Sequence, residues 1–76
     1  MKRYTIDNDA TWADIELYAV DPNNRVRFIT ESLAGVQHRW IVVDDALGNN
    51  LNAIPLFEST FEGRVTSVDF PGNTVL

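Results

Sequence analysis

The sequence contains no cysteine and only one histidine, His38. No disulfide can staple this fold, and thiolate nucleophiles and thiolate metal sites are excluded. One histidine cannot furnish the ligand set that zinc requires. A Ser-His-Asp centre needs nucleophile, base and orienting acid in contact. Ser32, Ser59 and Ser67 stand in no nucleophile-elbow setting, because no Gly-x-Ser-x-Gly occurs. The four glycines (Gly35, Gly48, Gly63, Gly72) stand singly, so no phosphate-cradling loop is present. Lys and Arg number six against eleven Asp and Glu, a formal net charge of −5. That balance disfavours a phosphate backbone as the main partner.

Long apolar runs are also lacking. The longest strongly apolar stretch, Trp40-Ile41-Val42-Val43, falls far short of the ~20 residues of a membrane span. Met1-Lys2-Arg3 opens like a signal peptide, but Asp7, Asp9 and Asp14 break the apolar stretch that would have to follow. The expectation is a cytoplasmic protein, or a viral one made in its host's cytoplasm, with no cofactor, metal or membrane contact.

What remains is a 76-residue chain with 45% hydrophobic residues. That suffices for one core in one small acidic β domain, residues 1–76, in which only about 60% of the unfolded chain's surface can be buried.

Short runs of β-branched and aromatic residues alternate with turn residues, which predicts strands. The first is Arg3-Tyr4-Thr5-Ile6, ended by Asp7-Asn8-Asp9. Residues 13–20 alternate in parity and read as a strand. A helix capped by Asp9 and using Trp12, Ile15 and Ala19 competes. The turn signal Asp21-Pro22-Asn23-Asn24 favours the strand and a hairpin with Val20 facing Arg25, Leu17 facing Phe28 and Tyr18 facing Arg27. A turn at Ala34-Gly35 places Phe28 opposite Ile41, Val26 opposite Val43, Ile29 opposite Trp40 and Glu31 opposite His38. Gly48-Asn49 suits a further hairpin, setting Val43 against Ile54 and Ile41 against Leu56. Asp44-Asp45-Ala46-Leu47 could instead form one helical turn. Pro55 cannot donate a ladder bond, so its strand reads as an edge or a bulge. Glu62-Gly63 pairs Phe57 with Val68 and Phe61 with Arg64. Ser59-x-x-Glu62 matches a capping box, but no apolar helical run follows it. Pro71-Gly72-Asn73 closes the last strand. The prediction is a mostly β fold: a meander of five or six short antiparallel strands in a small barrel or sandwich.

This pairing leaves a second apolar face, carrying Tyr18, Ile29, Trp40, Val42, Phe57, Phe61, Val68 and Phe70. Closure of the sheet would turn it into core, whereas exposure would make it a docking patch. Tyr18, Arg27 and Trp40 have the composition of interface anchors, with acidic support from Asp14 and Glu16. Asp7-Asn8-Asp9 fails as a calcium loop, because Trp12 and Tyr18 occupy the positions that need Gly and Glu.

The reading is a non-enzymatic domain that binds a larger protein partner through a basic or an apolar groove, as an inhibitor, adaptor or small viral accessory protein does. One alternative is a small-barrel nucleic-acid binder using Arg27, Arg39 and Trp40. Another is a self-associating assembly subunit, a homo-oligomer.

Overall fold

The computed structural model describes residues 2–44 and 53–69. Its elements are β1 (Lys2–Thr5), α1 (Asp9–Ala19), a single 3-10 turn (Pro22–Asn24), β2 (Val26–Leu33), β3 (Val36–Val43), α2 (Ala53–Thr60) and β4 (Thr66–Asp69). The described strands form one open, wholly antiparallel sheet in the order β2-β3-β1-β4. The order β-α-β-β-α-β with β1 and β3 at the centre is the split βαβ topology. The fold is mostly β, but the described residues form four strands and two helices where five or six strands are expected. Among the described residues the sheet is open and covered on one face, not closed into the expected barrel or sandwich.

The β2–β3 hairpin carries the expected register: Val26 faces Val43, Phe28 faces Ile41, Ile29 faces Trp40 and Glu31 faces His38. Ala34 and Gly35 both adopt positive φ, 52° and 79°. Two such residues are what a tight hairpin matching strand twist demands. Alanine accepts that conformation only with strain.

Residues 9–19 form a helix, not a strand. The Asn8 side chain accepts hydrogen bonds from the N–H groups of Ala10 (2.8 Å) and Thr11 (3.4 Å). The cap is therefore Asn8 and not Asp9. Thr11 and Ile15 are buried, whereas Leu17, which the alternating pattern sent inward, is 74% exposed. Spacing of three and four had the stronger claim on the core. The Asp21-Pro22-Asn23-Asn24 signal does turn the chain, but as a 3-10 turn capped by the Asp21 side chain on Asn23 N–H (2.9 Å). It delivers the chain from α1 into β2, so the pairing of residues 13–20 with 25–31 does not form.

Residues 53–60 are likewise helical. Pro55 sits in the first turn of α2, where its missing N–H removes no intrahelical bond. Ala53, Phe57 and Phe61 recur every four residues and are buried. The expected pairs of Ile54, Leu56, Phe57 and Phe61 with strand residues are therefore absent. Arg64 N–H returns to the Phe61 carbonyl (2.9 Å) in the turn that ends the helix. Ser59-x-x-Glu62 lies at this C-terminal end and caps no helix start. The expectations for residues 45–47, Gly48-Asn49, Phe70 and Pro71-Gly72-Asn73 lie outside the described residues.

Side-chain alternation divides the sheet. Tyr4, Val26, Phe28, Ile41 and Val43 face the helices and join Ile15, Ala53, Phe57 and Phe61 in the core. Tyr4 meets Phe57 at 4.9 Å between ring centroids, Phe57 meets Phe61 at 5.1 Å, and Tyr18 closes on Phe61 edge-on at 5.3 Å. Such pairs contribute about 0.5–1.5 kcal/mol each beyond the area they bury. The Tyr4 hydroxyl is buried and has no hydrogen-bond partner among the described residues. Burial, then the Glu58 and Asp69 carboxylates, push its phenol from 10.0 up to about 12.

Two outcomes follow from these local conformations. Ala34→Asn should raise stability by about 0.5–1 kcal/mol in urea unfolding, because Asn tolerates positive φ. The folded Tyr4 value stands above the unfolded one, so the protonated phenol's contribution is intact below pH 10 and is lost as pH rises through about 12. Tyr4→Phe should flatten that alkaline fall. At neutral pH it should match or exceed the wild type by about 1 kcal/mol, since it deletes a buried unsatisfied hydroxyl.

Candidate functional site

The face of the sheet away from the helices carries Arg3 from β1, Arg27, Ile29, Glu31 and Leu33 from β2, Val36, His38, Trp40 and Val42 from β3, and Thr66 and Val68 from β4. Their cross-strand partners fix this set: Arg3 faces Val42 and Val68, Arg27 faces Val42, and Leu33 faces Val36. Among the described residues both helices lie on the other side.

Arg3 organises this face. It is only 2% exposed. Its guanidinium reaches across β3, 5.9 Å from the Trp40 ring centre, and Nη1 donates to Glu31 Oε2 on β2 at 2.8 Å. One side chain thus ties β1 to the edge strand over the aromatic ring between them. His38 stacks beside Trp40, 6.3 Å away and tilted by 20°. Leu33 (43% exposed) and Val36 (57%) extend the apolar surface to the hairpin end.

Arg27 and Trp40, two of the three expected anchors, meet here as diagonal neighbours, because Arg27 faces Val42 two residues along β3 from Trp40. Tyr18 is elsewhere. It is half-buried on α1 against Phe57 and Phe61, and burial, then the Asp21 carboxylate, push its phenol up. Asp14 and Glu16 also lie on α1. Asp14 accepts from Arg64 (3.0 Å) and Glu16 accepts from Arg39. Arg39 belongs to the helix side, where it lies over Trp12 (4.3 Å) and Phe28 (5.3 Å). The expected set is thus split between two faces by the folding of residues 9–19 into a helix.

No family model, curated protein or solved structure matches this chain.

The charges must therefore locate the site. Lys2, Arg3, Arg39 and Arg64 each pair with a carboxylate. Arg25 and Arg27 form no ion pair among the described residues, and Arg27 is exposed on the open face. Sequence reasoning selected Arg27 for its type, but missed Arg3. A charged residue in a predicted strand gave no sign that it would be buried.

A second concavity of about 520 Å³ lies between β1, β4 and the end of α2, lined by Tyr4, Glu58, Ser59, Glu62, Val65 and Ser67. The Lys2 ammonium sits 3.5 Å from Glu58 at its rim. The Tyr4 phenol is protonated at neutral pH even at its ordinary value of 10.0, and burial raises it further, so it does not serve as a base there. No three His, Asp or Glu side chains converge as metal ligands among the described residues. No described helix is long and apolar enough to cross a membrane.

The two kinds of ion pair should respond differently to neutral isosteres. Glu31→Gln leaves the nearly buried Arg3 facing an uncharged acceptor and should cost about 1–3 kcal/mol in chemical denaturation. Asp14→Asn removes an exposed pair and should change stability by less than about 0.5 kcal/mol.

Proposed function

We propose that this chain is a non-enzymatic protein-binding module, and that the face of the sheet opposite the helices is its contact surface. The observation that carries this reading is the set Ile29, Trp40, Leu33 and Val36, apolar and only partly buried, with the Glu31–His38 pair between its two halves and Arg27, an arginine without an ion pair, beside Trp40. Antiparallel sheets that leave one face to water ordinarily make that face polar. Here it also carries Ile29, Trp40, Leu33, Val36 and Val42. An aromatic anchor beside an arginine is the composition of an interface centre. The matching partner is a larger protein presenting an apolar patch with a carboxylate at its edge, the carboxylate meeting Arg27. The acids of α1 are engaged with Arg39 and Arg64 within the chain, so this reading places the anchors on the sheet and not on the acidic helix.

The nucleic-acid reading keeps Arg27 and Trp40 on one face but loses Arg39, which lies on the other side with Glu16. One arginine and one indole on a chain of net charge −5 make a weak electrostatic footprint.

Val36→Glu places a carboxylate in the apolar set, and Trp40→Ala removes its ring. Leu17→Glu alters a more exposed leucine on α1. In affinity capture, a partner of this surface should be retained by wild type and Leu17→Glu and lost with Val36→Glu and Trp40→Ala, each checked for folding by circular dichroism. Equal retention by all four would refute the sheet-face reading. Oligonucleotide binding at low salt that Arg27→Glu abolishes would replace it with the nucleic-acid reading.

A further inference from the structure

The strand β2 ends the sheet. It pairs with β3 along Val26–Leu33, and no other described strand pairs with its outer edge. A long edge of this kind presents unpaired backbone N–H and C=O groups and is ordinarily blunted by a proline, a bulge, a lysine or an inward-pointing charge. Val26–Leu33 contains neither proline nor lysine, and its pairing with β3 runs without a bulge. Its two charges, Arg27 and Glu31, are opposite in sign, so they do not repel a second copy of the strand that sets one against the other.

We infer that β2 pairs antiparallel with β2 of a second copy of this chain, about a two-fold axis passing through Ile29. The sequence of the strand is self-complementary in this one register. A two-fold normal to the sheet keeps each copy's faces on the same side, so directly opposed positions must share parity. With the axis at Ile29, Arg27 faces Glu31 of the other copy, and the symmetry makes that pair twice. Ile29 faces its own counterpart, Phe28 faces Thr30, and Val26 faces Ser32. An axis at Phe28 sets Arg27 against Ile29 and moves Glu31 opposite Arg25, which lies outside the strand in left-handed backbone (φ 54°). An axis at Thr30 sets Ile29 against Glu31, so only the axis at Ile29 makes an opposite-charge pair within the strand.

The side chains are free to do this. Arg27 is exposed and forms no ion pair among the described residues. Glu31 Oε2 holds Arg3, and Oε1 accepts no hydrogen bond among the described residues, so the carboxylate can accept from both guanidinium groups. The product is a continuous eight-stranded sheet with its four helices on one side and the two open faces joined across the axis. This inference does not require the docking reading, although Arg27 serves both. Val36 and Trp40 belong to β3, so variants there test the face, and cross-linking between two copies through β2 tests the edge.

The test is sedimentation equilibrium on the full chain from micromolar to millimolar concentration, with three variants. Wild type should show a monomer–dimer equilibrium. Arg27→Glu sets two like charges against Glu31 and should raise the dimer dissociation constant about tenfold or more, with the far-ultraviolet spectrum unchanged. The absence of native cysteine makes cross-linking unambiguous. Opposed Cα atoms in antiparallel strands lie about 4.5–5.5 Å apart, within disulfide range. Ile29→Cys should therefore oxidise to a covalent dimer, while Thr30→Cys, offset across the axis, should not. A wild type that stays monomeric at every concentration overturns the proposal and leaves the edge to a strand from another protein. A dimer that Arg27→Glu does not weaken, or that cross-links through position 30 and not 29, overturns it equally.

Discussion

The four residues of β1 hold both sides of this molecule. Arg3 and Tyr4 are adjacent, both nearly excluded from solvent, and point to opposite faces of the sheet. Tyr4 enters the aromatic cluster that ties α1 and α2 to the strands. Arg3 crosses the other face to Glu31. A buried guanidinium is tolerable only where its charge is met, so the position of Glu31 on β2 is dictated by β1 two strands away. The edge strand is thereby tied to the sheet centre by more than its ladder with β3. The proposed dimer would load the same carboxylate from the outside, which makes Glu31 the point where internal stability and surface recognition share one group.

The charges are distributed in accord with this division. On the helix side every arginine with a described ion pair works within the chain. Arg39 bridges β3 to α1 through Glu16, and Arg64 bridges the end of α2 to α1 through Asp14. Both pairs are solvent-exposed and worth little separately, yet they flank α1 and neutralise two of its acids. The open face receives Arg27 without a carboxylate. A chain of net charge −5 thus presents Arg27, a cation without an ion pair among the described residues, beside Trp40. At close range that local charge complements a carboxylate on a partner's rim.

How much of this was legible in the sequence depended on contact distance. The β2–β3 hairpin was, down to the pairing of Glu31 with His38, because a tight turn at Ala34-Gly35 fixes the register and the side-chain period is two. Asn8 and Asp9 were visible as turn and cap residues, and the helix over 9–20 was a stated competitor. It lost to an accident of alternation: Ala13, Ile15, Leu17 and Ala19 mimic a strand, although Leu17 ends in solvent and Thr11 ends in the core. The second helix was hidden by Pro55, which looks like a strand edge and also suits a first helical turn. What sequence could not offer was the long-range choice that put β1 between β3 and β4. Only that choice buries Arg3, separates Tyr18 from Trp40, and sends Arg39 to the opposite side from Arg27.

The topology also explains why the apolar residues are spread over both sides of the sheet. In a closed barrel, Ile29, Trp40, Val42 and Val68 would share a core with Phe57 and Phe61. In this fold two short helices occupy one face and carry Phe57 and Phe61 into the core, and the described sheet is open. Val42 and Arg3 are nevertheless each only 2% exposed, on a face without a described helix. The open side is therefore two zones: a shielded centre over β1 and β3, and a wet margin toward Leu33, Val36 and Arg27. A shielded centre keeps the sheet intact in the absence of any partner, while the margin keeps apolar area available for one. Recognition by this chain is then expected to begin at the β2–β3 end of the sheet, where exposure, the free guanidinium and the open strand edge coincide.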